Sequence, residues 1–222
     1  MVWFPEKIVG KIISSTIYKQ AANDVDLKGY IKTLFYTKVI DLTKTVEEIS
    51  ADIDKNTIYE VRRATKDGSQ FSICNSAEKF IAFYNAFARD KKLAQISIDN
   101  ISPKENIILT EAIIDNETKV MHAYLVDPSI LRARLLYSAS QHLSSIIASE
   151  RAIIGRMNRY LHFHDMLCFK ELNYKVYDMG GYAYETKDEV LQNINKFKDG
   201  FGGNLVCEYD YWPWYYKYIL NV

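Results

Sequence analysis

The sequence predicts a mixed α/β fold, and three observations support that prediction. Apolar runs with the period of two that is typical of strands alternate along the chain with runs at helical spacing. The chain has 222 residues, of which 48% are hydrophobic and 14% aromatic, which is enough for one large domain or two small ones with a well-filled core. Four prolines and nine glycines leave no room for a flexible linker.

Charge and cysteine content exclude several classes of protein. The 28 basic side chains are balanced by 28 acidic ones, so the basic excess of a general nucleic-acid coat is missing. No apolar run approaches the roughly 20 residues that span a bilayer, and residues 1–19 lack the apolar core of a signal peptide. The three cysteines are far apart and odd in number, which favours reduced thiols over a disulfide framework. We therefore expect a cytoplasmic protein.

The first half of the chain contains patterns for strands and helices in alternation. Residues 31–42 are rich in β-branched and aromatic side chains and predict a strand, whereas residues 1–30 are expected to form an N-terminal extension. Residues 69–75 alternate like a half-buried strand, and residues 76–93 carry aromatic side chains at helical spacing. Two pairs have the capping-box spacing that marks helix starts: Thr45 with Glu48, and Thr57 with Glu60.

The second half predicts a hairpin followed by further strands and helices. Residues 107–114 and 119–126 flank a cluster of turn formers and predict a β-hairpin. The remaining predicted elements are a strand at 132–138, a long helix at 153–173, a strand at 174–179, a helix at 188–198 and a strand at 205–211.

Glycines are concentrated in one segment of the second half. Five of the nine lie between positions 180 and 203: Gly180, Gly181, Gly200, Gly202 and Gly203. Glycine at a strand end permits positive φ and lets a ligand approach bare backbone amides. Asp178 lies just before the first pair, where a residue at the end of a strand meets a crevice. Two tight turns are the alternative explanation.

The same segment carries a motif. Residues 177–181 (YDMGG) and 195–203 (NKFKDGFGG) resemble the YDxGG…FKxxFGG signature of FemAB-like members of the GNAT acyltransferase superfamily. Residues 59–64 (YEVRRA) and 156–163 (RMNRYLHF) are similar to two helices of the same proteins. The resemblance covers roughly residues 34–211. It implies a single GNAT-like domain, with a mixed, mainly antiparallel sheet flanked by helices, that transfers an acyl or aminoacyl group to an amine or hydroxyl.

The donor of that group is left open by the motifs. The Q/R-x-x-G-x-G/A phosphate loop of ordinary GNAT enzymes is absent, and residues 151–157 are the nearest stretch to it. Acetyl-CoA or another acyl-CoA is the expected donor, and aminoacyl-tRNA, which Fem enzymes use, is the alternative. Four residues are expected to bind the donor, at the opening of the sheet and near the start of the long helix: Ser138, Ser140, Arg151 and Arg156.

Three residues are expected to be catalytic. Lys198 matches the lysine of FKxxFGG, which the family places near the reacting carbonyl, where a cation stabilises an oxyanion. Asp178 belongs to the matched YDxGG element. His122 lies on a predicted central strand, where it could act as a base or simply be a hydrogen-bonded core residue.

The remaining expected contacts are to the substrate. We expect these residues to bind it: Arg62, Arg134, Tyr137, Asn158, Gly180, Gly181, Phe201, Gly202 and Gly203. The glycines should converge on one cleft with Asp178 and Lys198, although a helix of about 11 residues rises roughly 16 Å and could carry Lys198 to the far end. His162 and His164 point about 200° apart on a helix, so we expect no metal site.

These features favour an acyltransferase that acts on a sugar- or amino-acid-bearing small molecule, in cell-envelope or polysaccharide synthesis. A binding or assembly module that keeps the fold without catalysis is one alternative, and an aminoacyl-tRNA-dependent ligase is another. Residues 209–218 contain seven aromatic rings, which could form a homodimer surface or pack in the core.

Overall fold

The computed structural model describes residues 1–10, 14–101, 106–141 and 148–220. Its backbone contacts divide the chain into two compact units. Unit 1 comprises Met1–Lys38, Gly181–Lys196 and Asn204–Val222, and unit 2 comprises Val39–Gly180 and Phe197–Gly203. The candidate site lies in unit 2. That the whole chain forms one domain stays a prediction.

The strands agree closely with the sequence prediction from residue 30 onward. In chain order they are β1 (Val2–Trp3), β2 (Tyr18–Ala21), β3 (Tyr30–Asp41), β4 (Gln70–Cys74), β5 (Ile107–Ile114), β6 (Glu117–Asp127), β7 (Arg132–Ser140), β8 (Val176–Gly181) and β9 (Asn204–Pro213). In unit 2 the neighbours run in the order β8-β7-β6-β5-β4. Strands β4 to β7 pair antiparallel, and β7 pairs parallel with β8. The predicted mixed, mainly antiparallel sheet is confirmed.

The helices are α1 (Val46–Asp52), α2 (Lys55–Lys66), α3 (Ala77–Lys91), α4 (Ile98–Ile101), α5 (Ala148–Glu171), α6 (Glu189–Asp199) and α7 (Lys217–Leu220). The capping box predicted for Thr45 and Glu48 is present at α1. The second predicted box is wrong, because α2 begins two residues earlier than Thr57. Asp54 caps it instead, and its carboxylate accepts from the Thr57 amide at 2.7 Å.

Helices pack on both faces of β6, because successive strand residues point to opposite faces. Met121 and Ala123 share a core cluster with Phe80 and Tyr84 of α3. Tyr124 lies in another cluster, with residues of α5 such as Phe169. A third cluster joins α5 to α2. His122, between Met121 and Ala123 in sequence, therefore faces α5.

Unit 1 contains two strands in the segment that was expected to be an extension. Strand β1 pairs parallel with β2, and β2 pairs antiparallel with β9. An ion pair joins Lys19 to Asp210, and the Gln20 side chain donates to Glu208 at 2.7 Å. The C-terminal rings divide between core and surface: Tyr211 is buried, whereas Trp214 and Tyr218 are exposed. The homodimer surface stays a prediction.

Within the described ranges, no helix combines the length and the apolar character needed to cross a lipid bilayer.

Replacing Gly203 by alanine should lower the free energy of unfolding. Gly203 has a φ of +74°, and a Cβ there would lie 2.3 Å from the Val39 carbonyl oxygen. The positive φ alone costs a non-glycine residue about 1–3 kcal/mol, so we expect a loss of at least that size in urea denaturation.

Gly155→Ala is the matched control, because a Cβ on Gly155 in α5 meets nothing within 4 Å. It should stabilise by roughly 0.5–1 kcal/mol. Equal unfolding midpoints for the two variants would contradict this account.

Candidate functional site

The parallel ladder between β7 and β8 is short and ends at a charged pair. It extends over three residue pairs, the last of which is Arg134 with Asp178, while β7 continues to Ser140. Asp178 is fully buried and accepts two bonds from Arg132, at 2.6 Å from Nη2 and 3.1 Å from Nε. Its other oxygen accepts from the Gly180 amide at 2.8 Å. These bonds fix the turn in which Gly180 adopts a φ of +73°. This geometry suits Asp178 to positioning the Gly180 turn.

Lys198 reaches the same turn from the C-terminal end of α6. Its ammonium donates to the Gly180 carbonyl at 3.1 Å, so the predicted meeting of Lys198 with the Asp178–Gly180 turn is seen. Burial lowers the pKa of Lys198 to about 8; the charge of Asp178 opposes this change, and that of Arg134 adds to it. A desolvated ammonium is a strong partner for negative charge that develops beside it.

A buried polar network lies on the α5 face of β6. Asp165 of α5 is at its centre, fully buried, and its Oδ2 lies 2.8 Å from His122 Nδ1 and 2.6 Å from the Tyr124 hydroxyl. The Tyr124 hydroxyl lies 2.7 Å from that of Tyr177, which in turn lies 2.6 Å from His162 Nδ1. We call these five side chains the Asp165 network.

The direction of each hydrogen bond in the Asp165 network follows from the carboxylate. An ionised carboxylate only accepts, so Tyr124 donates to Asp165 and must accept from Tyr177. Tyr177 then accepts from an N–H on His162 Nδ1. Burial, followed by the charge of Asp165, raises the pKa of both tyrosines well above their usual range, so they keep their protons. Both donor chains therefore converge on Asp165.

The field around His162 links the Asp165 network to Lys198. Burial lowers the pKa of His162 well below its usual range, and the charges of His122, Lys198 and Arg159 act in the same direction. The His162 ring also contacts Phe197, the residue before Lys198, with ring centroids 5.5 Å apart. The Arg159 guanidinium lies 5.1 Å from the Phe197 ring centre.

Three members of the Asp165 network could approach one metal ion. His122, His162 and Asp165 each offer a ligand atom, and these atoms lie within 4.8 Å of one another. The sequence analysis considered only His162 and His164 of one helix. It missed this group because His122 comes from strand β6. His164 indeed points elsewhere, toward Tyr160 at 4.1 Å between ring centroids. Hydrogen bonds engage His122, His162 and Oδ2 of Asp165, whereas Asp165 Oδ1 is buried without a hydrogen-bond partner among the described residues. The expected absence of a metal stays a prediction.

The other predicted site residues lie in varied surroundings. Ser138 pairs in register with His122, and Ser140 with Val120. Arg156 contacts Asp67, which follows α2, at 2.9 Å and Glu60 of α2 at 4.0 Å, so two carboxylates balance its charge. Arg62 and Arg151 are exposed, and Tyr137 packs edge-on against Tyr84.

Two of the predicted glycine contacts have a packing explanation. A Cβ on Gly202 would lie 2.6 Å from the Asp52 carbonyl, and one on Gly203 would strike Val39. Phe201 is fully buried in the core and packs on His162. Gly181 belongs to unit 1, where it faces the Phe35 ring. The substrate contacts of these residues stay predictions.

The sequence analysis did not predict the contacts of Asp165 and Tyr124. It also missed the contacts of His162 with Tyr177 and Phe197. A signal was present: residues 158, 162 and 165 follow helical spacing and share one face of α5. Residues 122 and 124 likewise share one face of β6.

Solved structures resemble this fold at low sequence identity. FemX matches with a TM-score of 0.63 and 12% identity, over 83% of this chain and 63% of that chain. The C-terminal domain (DUF2156) of a putative lysylphosphatidylglycerol synthetase from Agrobacterium fabrum matches with a TM-score of 0.60 and 13% identity, over 83% of this chain and 62% of that one. The chain has a FemAB-like GNAT fold.

A third structure of this fold is L-PGS from Bacillus licheniformis, with a TM-score of 0.56 and 10% identity, over 92% of this chain and 70% of that chain. The chain thus spans less than two thirds of the length of the first two structures. No protein-family profile and no curated protein sequence matches the chain. The structural similarity establishes the fold that the motifs implied, and the activity is a separate question.

Lys198 should react with an amine-directed reagent as a lysine whose pKa is about 8, rather than the ordinary 10.5. The measurement is the pH dependence of acetic anhydride labelling, followed by mass spectrometry of the peptide that contains Lys198. Arg134→Gln should move the labelling midpoint to higher pH, because the Arg134 charge lowers the pKa of Lys198. A midpoint above pH 10 in the wild-type protein would show that the ammonium is not desolvated.

Proposed function

We propose that this protein transfers an acyl or aminoacyl group to the amine or hydroxyl of a small molecule. The observation that carries the proposal is the half-buried Lys198 ammonium at the Gly180 carbonyl, next to the end of the β7–β8 ladder. The FemAB-like GNAT fold supports it, because FemX and the synthetase domain share that fold.

The chemistry assigned to Lys198 is stabilisation of charge. The acceptor nitrogen or oxygen bonds to the carbonyl carbon of the donor, and the π electrons of the carbonyl move onto its oxygen. The ammonium of Lys198 is placed to stabilise that oxyanion, which is worth about 2.7–4 kcal/mol for one such donor. Collapse of the intermediate expels the donor's leaving group, and the acceptor's proton leaves to a base, a role predicted for His122. Arg132 and Asp178 hold the turn on which Lys198 rests.

The donor is an acyl-CoA or an aminoacyl-tRNA, and two observations bear on that choice. Arg156, one of the predicted donor contacts, is occupied by Asp67. One similar structure is named as a synthetase of lysylphosphatidylglycerol, an aminoacylated lipid. Both favour the aminoacyl alternative over the original expectation of CoA. The acceptor is a sugar- or amino-acid-bearing molecule of cell-envelope or polysaccharide synthesis.

Cytoplasmic location is part of the proposal, because all three cysteines are free thiols.

A non-catalytic binding or assembly module is the second candidate. The absent phosphate loop and the ion pair of Arg156 with α2 favour it. The two candidates differ in what Lys198 does.

Lys198→Ala should reduce kcat by about 10²–10³, because one oxyanion donor is lost, while the thermal unfolding midpoint stays near that of the wild type. Lys196→Ala, an exposed lysine on the same helix, is the matched control and should keep full activity. Activity should fall as the pH rises through about 8, since deprotonation removes the charge of Lys198. A Lys198→Ala enzyme that retains more than a tenth of the wild-type kcat would exclude this role.

The donor can be identified by direct binding. We expect a charged tRNA analogue with a non-hydrolysable aminoacyl end to raise the unfolding midpoint more than acetyl-CoA at equal concentration. Uncharged tRNA is the control, because the balanced charge of the chain offers no general attraction for nucleic acid. Stabilisation by acetyl-CoA alone would reverse the donor assignment, and stabilisation by neither would favour the binding module.

A further inference from the structure

The Asp165 network contains two atoms that lack a hydrogen-bond partner. Asp165 Oδ1 is buried and unpaired among the described residues. His162 is bonded through Nδ1 to the Tyr177 hydroxyl, and its other ring nitrogen, Nε2, has no hydrogen bond within the part of the chain that the structure describes. Buried polar atoms are nearly always paired, and an unpaired one calls for an explanation such as a bound ion or water. The two atoms therefore point to a component of the network beyond its five side chains.

Both unpaired atoms offer electron pairs. Oδ1 belongs to the Asp165 carboxylate, and a neutral imidazole whose Nδ1–H donates to Tyr177 carries a lone pair on Nε2. Two acceptors cannot pair with each other, so the missing component must be electron-deficient. A metal cation meets that need, and imidazole nitrogen together with carboxylate oxygen is ligand chemistry that suits Zn²⁺.

His122 converges on the same point from strand β6. One ligand atom of each of His122, His162 and Asp165 lies within 4.8 Å of the other two, and the described ranges contain no other group of this kind. His122 Nδ1 is 2.8 Å from Asp165 Oδ2, and the two imidazole rings have centroids 4.3 Å apart. Neighbouring ligands on a tetrahedral zinc ion with bonds of about 2.1 Å lie about 3.4 Å apart. Small side-chain rotations therefore bring the three residues onto one ion.

The outer contacts of the two histidines are those that metal ligands usually have. A histidine that binds a metal through one ring nitrogen donates from the other to an oxygen, which fixes the orientation of the ring. Such an oxygen is present for both rings: Asn158 Oδ1 lies 3.0 Å from His122 Nε2, and the Tyr177 hydroxyl lies 2.6 Å from His162 Nδ1. Both rings are thus held in place by side chains outside the set of three ligands.

We propose that His122, His162 and Asp165 bind one Zn²⁺ ion that has a structural role. All three ligands are buried, which keeps substrate away from the ion, so the ion holds α5 against β6. The hydroxyl of Tyr124 lies 2.6 Å from Asp165 Oδ2 and 3.1 Å from His122 Nδ1, close enough to complete a tetrahedral set.

The zinc site changes two expectations from the sequence. It replaces the expectation of no metal site, which considered only His162 and His164 of one helix. It also removes His122 as the predicted base, because a ring held by the ion and by Asn158 has no nitrogen left to accept a proton. The zinc site does not rest on acyl transfer, and its test needs no substrate.

Zinc content and stability test the proposal on the whole chain. We expect elemental analysis by mass spectrometry to find one Zn²⁺ per purified chain. Removal of the ion with the chelator dipicolinate should lower the thermal unfolding midpoint, and added Zn²⁺ should restore it, because a metal that binds only the folded chain stabilises the fold. A stripped chain that takes up no zinc, or whose unfolding midpoint zinc leaves unchanged, would overturn the proposal.

Substitutions separate this site from other zinc ligands such as the cysteines. Asp165→Asn keeps the side-chain shape and removes its charge, so zinc affinity should fall at least tenfold, since loss of an outer partner alone costs about 10–100-fold. His162→Gln is the second variant if the first does not fold. His164→Gln on the same helix is the matched control and should bind zinc like the wild type, because that ring packs on Tyr160. Equal zinc affinity in the Asp165→Asn and His164→Gln variants would refute the site.

Discussion

The carboxylate of Asp165 is the constraint on which unit 2 depends most. A charge in the protein interior is tolerated only where donors surround it, because an uncompensated one costs several kcal/mol. The donors to Asp165 Oδ2 come from β6 and, through Tyr177 and His162, from β8 and α5, whereas Oδ1 has no hydrogen-bond partner among the described residues. A shift of β6 by one residue would turn His122 and Tyr124 to the opposite face and leave Asp165 unpaired. The network thus sets both the register of the strand and the rotation of the helix.

Strand β8 connects this constraint to the candidate site. Tyr177 and Asp178 are adjacent, so they point to opposite faces of the sheet. Tyr177 completes the Asp165 network, and Asp178 accepts hydrogen bonds from Arg132 and from the Gly180 amide. The phenyl rings of Phe197 and Phe201 pack on His162 and hold the end of α6 from which Lys198 extends. Placement of the Lys198 ammonium therefore depends on packing around His162.

Sequence patterns predicted the elements that local chemistry decides. The hairpin, α3 and the box at Thr45 depend on residues a few positions apart. The cap of α2 was missed because Asp54, three residues before Thr57, accepts from the Thr57 amide, so the helix begins before Thr57. Strand β2 was missed because it is short and is stabilised by Asp210 and Glu208, which lie far along the chain. For the site, the motif located Lys198 and Asp178, whereas the Asp165 network needs side chains from three elements, whose meeting no local pattern encodes.

Lys198 shows what a low-dielectric environment does to a cation that has a carboxylate near it. Asp178, the carboxylate that acts on Lys198, is already bonded to Arg132, and burial still lowers the pKa of Lys198. A negative charge that develops beside this ammonium interacts with it more strongly than it would in water, because the local dielectric constant is low. That stronger interaction explains why Lys198 is suited to stabilise an oxyanion, as the proposed function requires.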